Sequence, residues 1–319
     1  MSESSFMLDY TELFKRNYGV FTEKEQNKIA DSSVLIVGCG GIGGTVAIIL
    51  ARSGVRKFIL VDFDIYEASN INRQIACFSS NLGIKKSIAI AKQIKDINPL
   101  SEITTFDKLL NHDQIAALIQ KVDFIFPAAD DFAFSIFIFR QTQYYKKPAL
   151  LVIPSGTWAN VSIILPDSPL VEDIYGIPKM DSYEKLNELF KSHLYKFGAI
   201  NYLTHGDWQI DYYKSFIFDD SPPTQICSTV WISSSIGALE VLKVLSDKWK
   251  PVSSPRYWEI TANKIKINRI NSLSLQSLYT WQRKILWPLF QTSLSKVLNK
   301  FVYMLWNFIY KIMKYKQNS

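Results

Sequence analysis

Ser33-Val34-Leu35-Ile36-Val37-Gly38-Cys39-Gly40-Gly41-Ile42-Gly43 is a β-branched apolar run that breaks into glycines, and the apolar stretch Thr45 to Arg52 follows at helical length. Strand, glycine turn, helix is the context in which a GxGGxG loop holds a nucleotide. Glycine at these positions lets the backbone turn tightly and approach a phosphate. The free N–H groups of the helix start, with the helix dipole, favour negative charge. A second strand, Lys57 to Asp62, ends on an acid about twenty residues beyond the glycines, where a ribose-binding carboxylate belongs. This much alone predicts an oxidoreductase that uses NAD or FAD.

Outward from that core the chain keeps alternating. Gly83 to Ile97 reads as a helical segment closed by Asn98-Pro99. Val122 to Ala128 reads as a strand ending on acids, followed by a Phe-rich helix and the strand Ala149 to Ile153. The order predicts an α/β fold: a doubly wound, Rossmann-like, mostly parallel sheet with ligands beyond the carboxyl ends of its strands. Gly38, Gly40, Gly41, Gly43, Asp62 and Asp130 all fall at such ends. Further on come a strand at Val161 to Leu165, a helical segment at Leu186 to Tyr195, and an aromatic loop around Trp208, Tyr212 and Tyr213 that could wall a peptide groove. A helix at Thr229 to Leu245 and strands at Tyr257 to Ile260 and Lys264 to Asn268 follow, the latter an antiparallel extension that closes the domain. Residues 1–270 form the predicted domain and 271–319 a helical tail.

With 319 residues and 48% hydrophobic content, the chain has ample apolar side chain for a well-filled domain, and disorder is not expected. A net charge of +7 suits phosphate-bearing or anionic partners without choosing among ATP, nucleic acid and lipid. Cys39, Cys77 and Cys227 contain no CxxC pair, which argues for a reducing compartment and against a disulfide framework or structural zinc. The N-terminus lacks the basic and apolar regions of a signal peptide, so a cytoplasmic protein is expected. His112, His193 and His205 have no ligand spacing and read as structural or surface groups.

Five elements in order turn the reading from hydride transfer: the glycine loop, VDFDIYEASNINRQ at 61–74, GIKK at 83–86, INP at 97–99 and Ala129-Asp130. Their order and spacing resemble the ThiF/MoeB/HesA adenylating family, relatives of the ubiquitin-activating enzymes, over roughly Arg16 to Arg269. The Asn70-x-Asn72-Arg73-Gln74 form is most similar to the threonylcarbamoyladenosine dehydratase and stand-alone branches. The resemblance implies ATP-dependent activation of a carboxylate as an acyl-adenylate. It implies that Arg73 and Lys86 bind phosphates, Asp130 holds Mg²⁺, Asp62 the ribose, and Gly40 and Gly41 line the nucleotide. Asp64, Asn70 and Gln74 become further nucleotide contacts, and Arg16 would reach across a homodimer to the neighbour's ATP.

The chemistry suits those residue types. Attack of a carboxylate on the α-phosphorus gathers negative charge, which a bidentate guanidinium at Arg73 and a point charge at Lys86 offset without any nucleophilic side chain. The sequence departs from the family pattern at three places. The zinc-binding CxxC pairs are absent, so no zinc is expected. Pro127-Ala128-Ala129 replaces a more polar approach, and Asp131 stands where the family usually has Asn. Asp131 is left outside the predicted site as a helix cap. Cys227 precedes a helix, where a dipole would favour a thiolate, but no histidine or second cysteine is near it in sequence, so it reads first as an idle thiol.

Family members activate ubiquitin-like carrier C-termini, ribosomal peptides or a modified tRNA base. The residues alone do not choose among these; a carrier protein or peptide with a free carboxylate is the preferred expectation, with tRNA as an alternative. A non-catalytic scaffold and an NAD-dependent oxidoreductase are the other classes, and Arg73, Lys86 and Asp130 together argue against both.

In the tail, Leu294, Val297, Leu298, Phe301, Val302, Leu305, Phe308, Ile309 and Ile312 recur at helical spacing opposite Lys296, Lys300, Asn307, Lys311 and Lys314. That face must be covered, by the domain, a dimer mate or another protein first. A membrane surface is the alternative for a Trp-rich, lysine-flanked helix too short in its apolar run to span a bilayer.

Overall fold

The computed structural model describes residues 9–192, 195–196, 205–270, 292 and 294–317. Helices α1 (Tyr10–Leu13) and α2 (Glu23–Asp31) precede the sheet, and a capping box between Thr22 and Glu25 starts α2. Strand β1 (Ser33–Val37) leads through the glycine turn into α3 (Gly41–Arg52). Then come β2 (Lys57–Val61), α4 (Lys86–Ile97), β3 (Glu102–Phe106), α5 (His112–Gln120), β4 (Phe124–Pro127) and α6 (Phe132–Tyr144). The chain continues through β5 (Ala149–Ser155), β6 (Trp158–Ile164), α7 (Val171–Tyr175), α8 (Tyr183–Lys191), α9 (Ile210–Phe218) and α10 (Cys227–Ser246). It ends with β7 (Arg256–Thr261), β8 (Lys264–Arg269) and α11 (Ser295–Gln317).

The sheet runs β3-β2-β1-β4-β5-β6-β7-β8. β1 to β5 pair in parallel, and β5 to β8 pair antiparallel, as the composition of the elements predicts. Period-two alternation sorts the side chains into two cores. Val34 and Ile36 face the layer of α3, α4 and α10, while Leu35 and Val37 face α5, α6 and α8. Because β1 lies between β2 and β4, the chain winds away from it in both directions. The carboxyl ends of these three strands therefore open a crevice.

Three expectations need correction. β3 and α5 carry no strong apolar signal and are absent from the sequence reading. β3 is an edge strand with only intermediate and exposed residues, and α5 has three buried residues. The aromatic loop near Trp208 is in fact the entry to α9, with Trp208 and Tyr213 buried. In the tail, α11 docks through Trp306 and Tyr310, four apart, against Trp208, Ile210, Tyr213 and Ile217, and Val302 of the predicted stripe, one turn earlier, is also buried. Trp306 is fully buried, whereas Leu294, Val297, Phe301, Phe308 and Ile312 of the stripe read from sequence stay exposed. Trp281 and Trp287 of the tail, and His193, lie outside the described residues.

Candidate active site

The glycine turn is built for close approach. Gly38 has φ +100°, and a Cβ there would lie 2.5 Å from the Ala128 carbonyl oxygen; a Cβ at Gly43 would lie 1.9 Å from the Gly38 carbonyl oxygen. Gly38 N–H donates to Val61 at 2.8 Å and Ala128 N–H to Val37 at 2.7 Å, stitching β1 to both neighbours at the crevice. Gly40 caps α3 with no side chain, so the first N–H groups of a twelve-residue helix face the crevice bare.

A cleft of about 400 Å³ opens there, lined by Gly38, Gly40, Asp62, Asp64, Lys86 and Asp130 from the predicted set. Asp62, 8% exposed, accepts from Cys39 N–H at 2.6 Å and Asp64 N–H at 2.8 Å. Burial pushes its pKa up, against the pull of those two N–H groups and of Lys86. Burial, with the Asp62 charge, also holds the Cys39 thiol well above its usual range, which makes it a packing group. Lys86 is 7% exposed and its Nζ lies 2.9 Å from Asp64 Oδ2. The cleft therefore contains a buried ammonium whose partner carboxylate is half exposed.

The remaining predicted residues sit beside the cleft or away from it. Arg73 packs against Gly41 at the start of α3, where a Cβ on Gly41 would meet the arginine Cγ at 3.4 Å. Its guanidinium donates to Gln225 Oε1 at 2.8 Å, Asn72 Oδ1 at 2.8 Å and the Ser69 carbonyl at 3.2 Å. Gln74, buried beside Gly40, leaves its Oε1 without a partner. Asn70 is buried and caps its own turn by accepting from Glu67 N–H, a local role distinct from the predicted nucleotide contact. Arg16 is exposed on a turn tied to the far end of α3, where Asn17 donates to the Ser53 carbonyl at 3.1 Å; it does not line the cleft of its own chain.

Several cleft residues escaped the sequence reading. Asp131, set aside as a cap, does cap α6 by accepting from Phe134 N–H at 2.9 Å. It also lines the cleft and accepts a hydrogen bond from Tyr183. That bond, with burial, pushes the Tyr183 hydroxyl up to about 12. His112, read as structural or surface, lines the cleft and stacks on Phe137 at 4.0 Å between centroids. Leu109, Leu110 and Ile115 add apolar wall. The signal for this wall was present: Asn111 and Gln114 form a capping box, so a helix starts just beyond the carboxyl end of β3. Cys227 is the half-exposed first residue of the twenty-residue α10.

Known proteins are similar to this chain in sequence and in fold. The chain is 35% identical over 108 residues to adenylyltransferase and sulfurtransferase MOCS3 of Dictyostelium discoideum, covering 34% of this chain and 25% of that protein. It is 35% identical over 97 residues to tRNA threonylcarbamoyladenosine dehydratase of Escherichia coli, covering 30% and 36%. Against molybdopterin-synthase adenylyltransferase of Haemophilus influenzae it is 27% identical over 169 residues, covering 53% and 65%. The match thus spans a quarter of the length of MOCS3 and under two thirds of the other two. The crystal structure of E. coli MccB with ATP shares the fold, with TM-score 0.61 at 21% identity over 81% of this chain and 71% of that one. A family model described as the ThiF family matches residues 14–277, most of the chain, and the protein belongs to that family.

Proposed function

We propose that this chain activates a carboxylate with ATP, forming an acyl-adenylate and pyrophosphate. The observation that carries the reading is the convergence of Gly38 and Gly40, the uncapped start of α3, Asp62, Lys86 and Asp130 on one cleft at the switch point of the sheet. MOCS3 and the H. influenzae relative, both named adenylyltransferases, support it.

In this reading Asp62, already anchored by two N–H groups, accepts the ribose hydroxyls. Lys86 and Arg73 exchange their present partners for phosphate oxygens. The carboxylate oxygen of the substrate attacks the α-phosphorus, the bond to the bridging oxygen of pyrophosphate breaks, and both electrons leave with pyrophosphate. No proton transfer and no protein nucleophile are needed. Asp131 is committed to capping α6 and to Tyr183, which leaves the exposed Asp130 carboxylate to hold a Mg²⁺ that arrives with ATP. The metal would neutralise charge on the phosphates.

The acceptor in this reading is a carrier protein or peptide with a free carboxylate. MccB, which shares the fold, has been solved together with MccA and AMPCPP, in support of a partner-bound site. The E. coli dehydratase similarity keeps a tRNA base as the second reading. Exposed Ile71, Trp231 and Ile232 at the Arg73 loop, with exposed Leu239 further along α10, support a homodimer, through which Arg16 would reach the other site. The exposed stripe of α11 with Lys300 and Lys311, and no acid along the helix, supports contact with an anionic membrane surface.

Pyrophosphate exchange into ATP, with Mg²⁺ and candidate carriers, peptides and tRNA added in turn, tests the reading. Exchange that needs one substrate and disappears in Arg73→Ala and Asp130→Ala is the expected result. Failure of ATP to bind in calorimetry would replace the enzyme with a scaffold.

A further inference from the structure

A second cleft, of about 270 Å³, adjoins the first and shares Ala128, Ala129 and Asp130 with it. Its floor comes from β5. Leu151, Ile153 and Ser155 alternate along the strand and so point to one face, opposite Phe132 and Phe139 of α6, with Tyr175 of α7 and Tyr195 closing the side. Among the described residues that line it, the one charged side chain is Asp130, at the junction with the first cleft. One polar atom inside stands out: Ser155 is 4% exposed and its Oγ is buried without a hydrogen-bond partner. A buried hydroxyl left unpaired is costly, and a small turn of the Ser155 side chain toward the cleft would let an entering group satisfy it.

The second cleft also touches the phosphate side of the site. Gln225 lines it and at the same time accepts from Arg73 Nε at 2.8 Å, and its backbone carbonyl accepts from Asn72 at 3.0 Å. Whatever fills the second cleft thus lies against the residue that positions Arg73.

We propose that the second cleft receives the substrate side of the acyl-adenylate: a hydrophobic side chain or acyl chain next to the activated carboxylate, with Ser155 Oγ bonding a polar atom of the same group. The carboxylate then belongs to a molecule that ends in an apolar residue, because a terminal glycine would leave the apolar wall and the Ser155 hydroxyl unmatched. This assignment rests on the adenylation reading in placing the carboxylate at Asp130. The volume suits a leucine- or phenylalanine-sized group, and burying one favours it over glycine by about 10-fold or more.

The test titrates N-acetylphenylalanine, N-acetylleucine and N-acetylglycine into the full chain by ligand-observed NMR, without nucleotide and with a non-hydrolysable ATP analogue. ATP affinity is measured separately by calorimetry. The apolar acids are expected to bind about 10-fold more tightly than N-acetylglycine. Ile153→Trp, which fills the cleft, should abolish that preference and leave ATP affinity unchanged. Ser155→Ala should weaken N-acetylphenylalanine by about 2- to 10-fold. If Ile153→Trp does not fold, Ile153→Ala decides instead, by shifting preference toward N-acetyltryptophan. Equal binding of the three acids, or a preference that survives both Ile153 variants, overturns the assignment. If ATP fails to bind while the preference holds, the adenylation reading falls and the apolar site stands. If ATP binds and the acids are not distinguished, the reverse is true.

Discussion

Replacing Lys86 by methionine keeps the length of the side chain and removes its charge, and the structure sets the size of the effect. Lys86 is 7% exposed and pairs at 2.9 Å with Asp64, whose side chain is 49% exposed. Moving Nζ to a phosphate oxygen gains one charge-assisted hydrogen bond, net about 1.5–3 kcal/mol. Giving up a pair with a half-exposed partner costs at most about 1 kcal/mol. The difference, about 0.5–3 kcal/mol, predicts that Lys86→Met weakens ATP by roughly 2- to 150-fold. Adenosine has no phosphate for Lys86 to meet, so its affinity should stay within about 2-fold. Calorimetry with ATP and adenosine on the same protein reads both numbers. Equal losses for the two ligands would mean that Lys86 only shapes the cleft. An unchanged ATP affinity would reduce the Lys86–Asp64 pair to a strut and remove the main cation from the proposed chemistry.

Other expectations follow from the same geometry. Gly38→Ala adds a Cβ 2.5 Å from a backbone oxygen at φ +100°, whereas Gly83→Ala, at φ +83°, meets nothing within 4 Å. The first should cost about 2 kcal/mol more than the second, a Tm roughly 4–8 °C lower, and equal Tm values would show that the turn yields. Asp62 holds its proton more tightly folded than unfolded, so its contribution favours folding at low pH and is lost as pH rises through the raised pKa. Wild type should therefore gain stability relative to Asp62→Asn, in urea midpoints, on going from about pH 7 to about pH 4; no relative change would refute the burial argument. In α11, Phe301→Asp with Phe308→Asp should leave thermal unfolding unchanged, since the two are 56% and 62% exposed. The double variant should lose salt-sensitive co-sedimentation with phosphatidylserine vesicles. Binding that survives both changes would exclude the stripe as the membrane contact.

The legible parts of this molecule are those in which one strand or one strand end decides the outcome. β1 is buried on four of its five positions and leads straight into a turn that only glycine allows at Gly38, so its reading needs no tertiary knowledge. Asp62 and Asp130 follow the ends of β2 and β4, and parallel topology places all such ends on one edge. Lys86 at the start of α4 reaches the same edge, and the order of the residues in sequence already implies their meeting. The illegible parts are those set by what packs against them. β3 is an edge strand without a fully buried residue, so its pattern carries little signal. His112, Leu109 and Tyr183 enter the cleft on segments whose position depends on α5 and α8 docking against α6. Asp131 shows how a correct local reading can mislead: capping α6 and lining the cleft are one placement, because α6 starts at the carboxyl edge of the sheet. The tail repeats the lesson on a helix that is apolar on two sides. Counting apolar residues finds the stripe from Leu294 to Ile312, of which Val302 is buried while Val297, Phe301 and Phe308 are exposed, and the domain takes Trp306 and Tyr310, which the count left out. Trp306 buries the larger surface, and Tyr310 can hydrogen-bond Asp211 on α9 while docking, so the row with fewer aliphatic residues wins the contact. The stripe left outside is then free for a partner, which is why a periodicity argument alone locates a helix more surely than the face it buries.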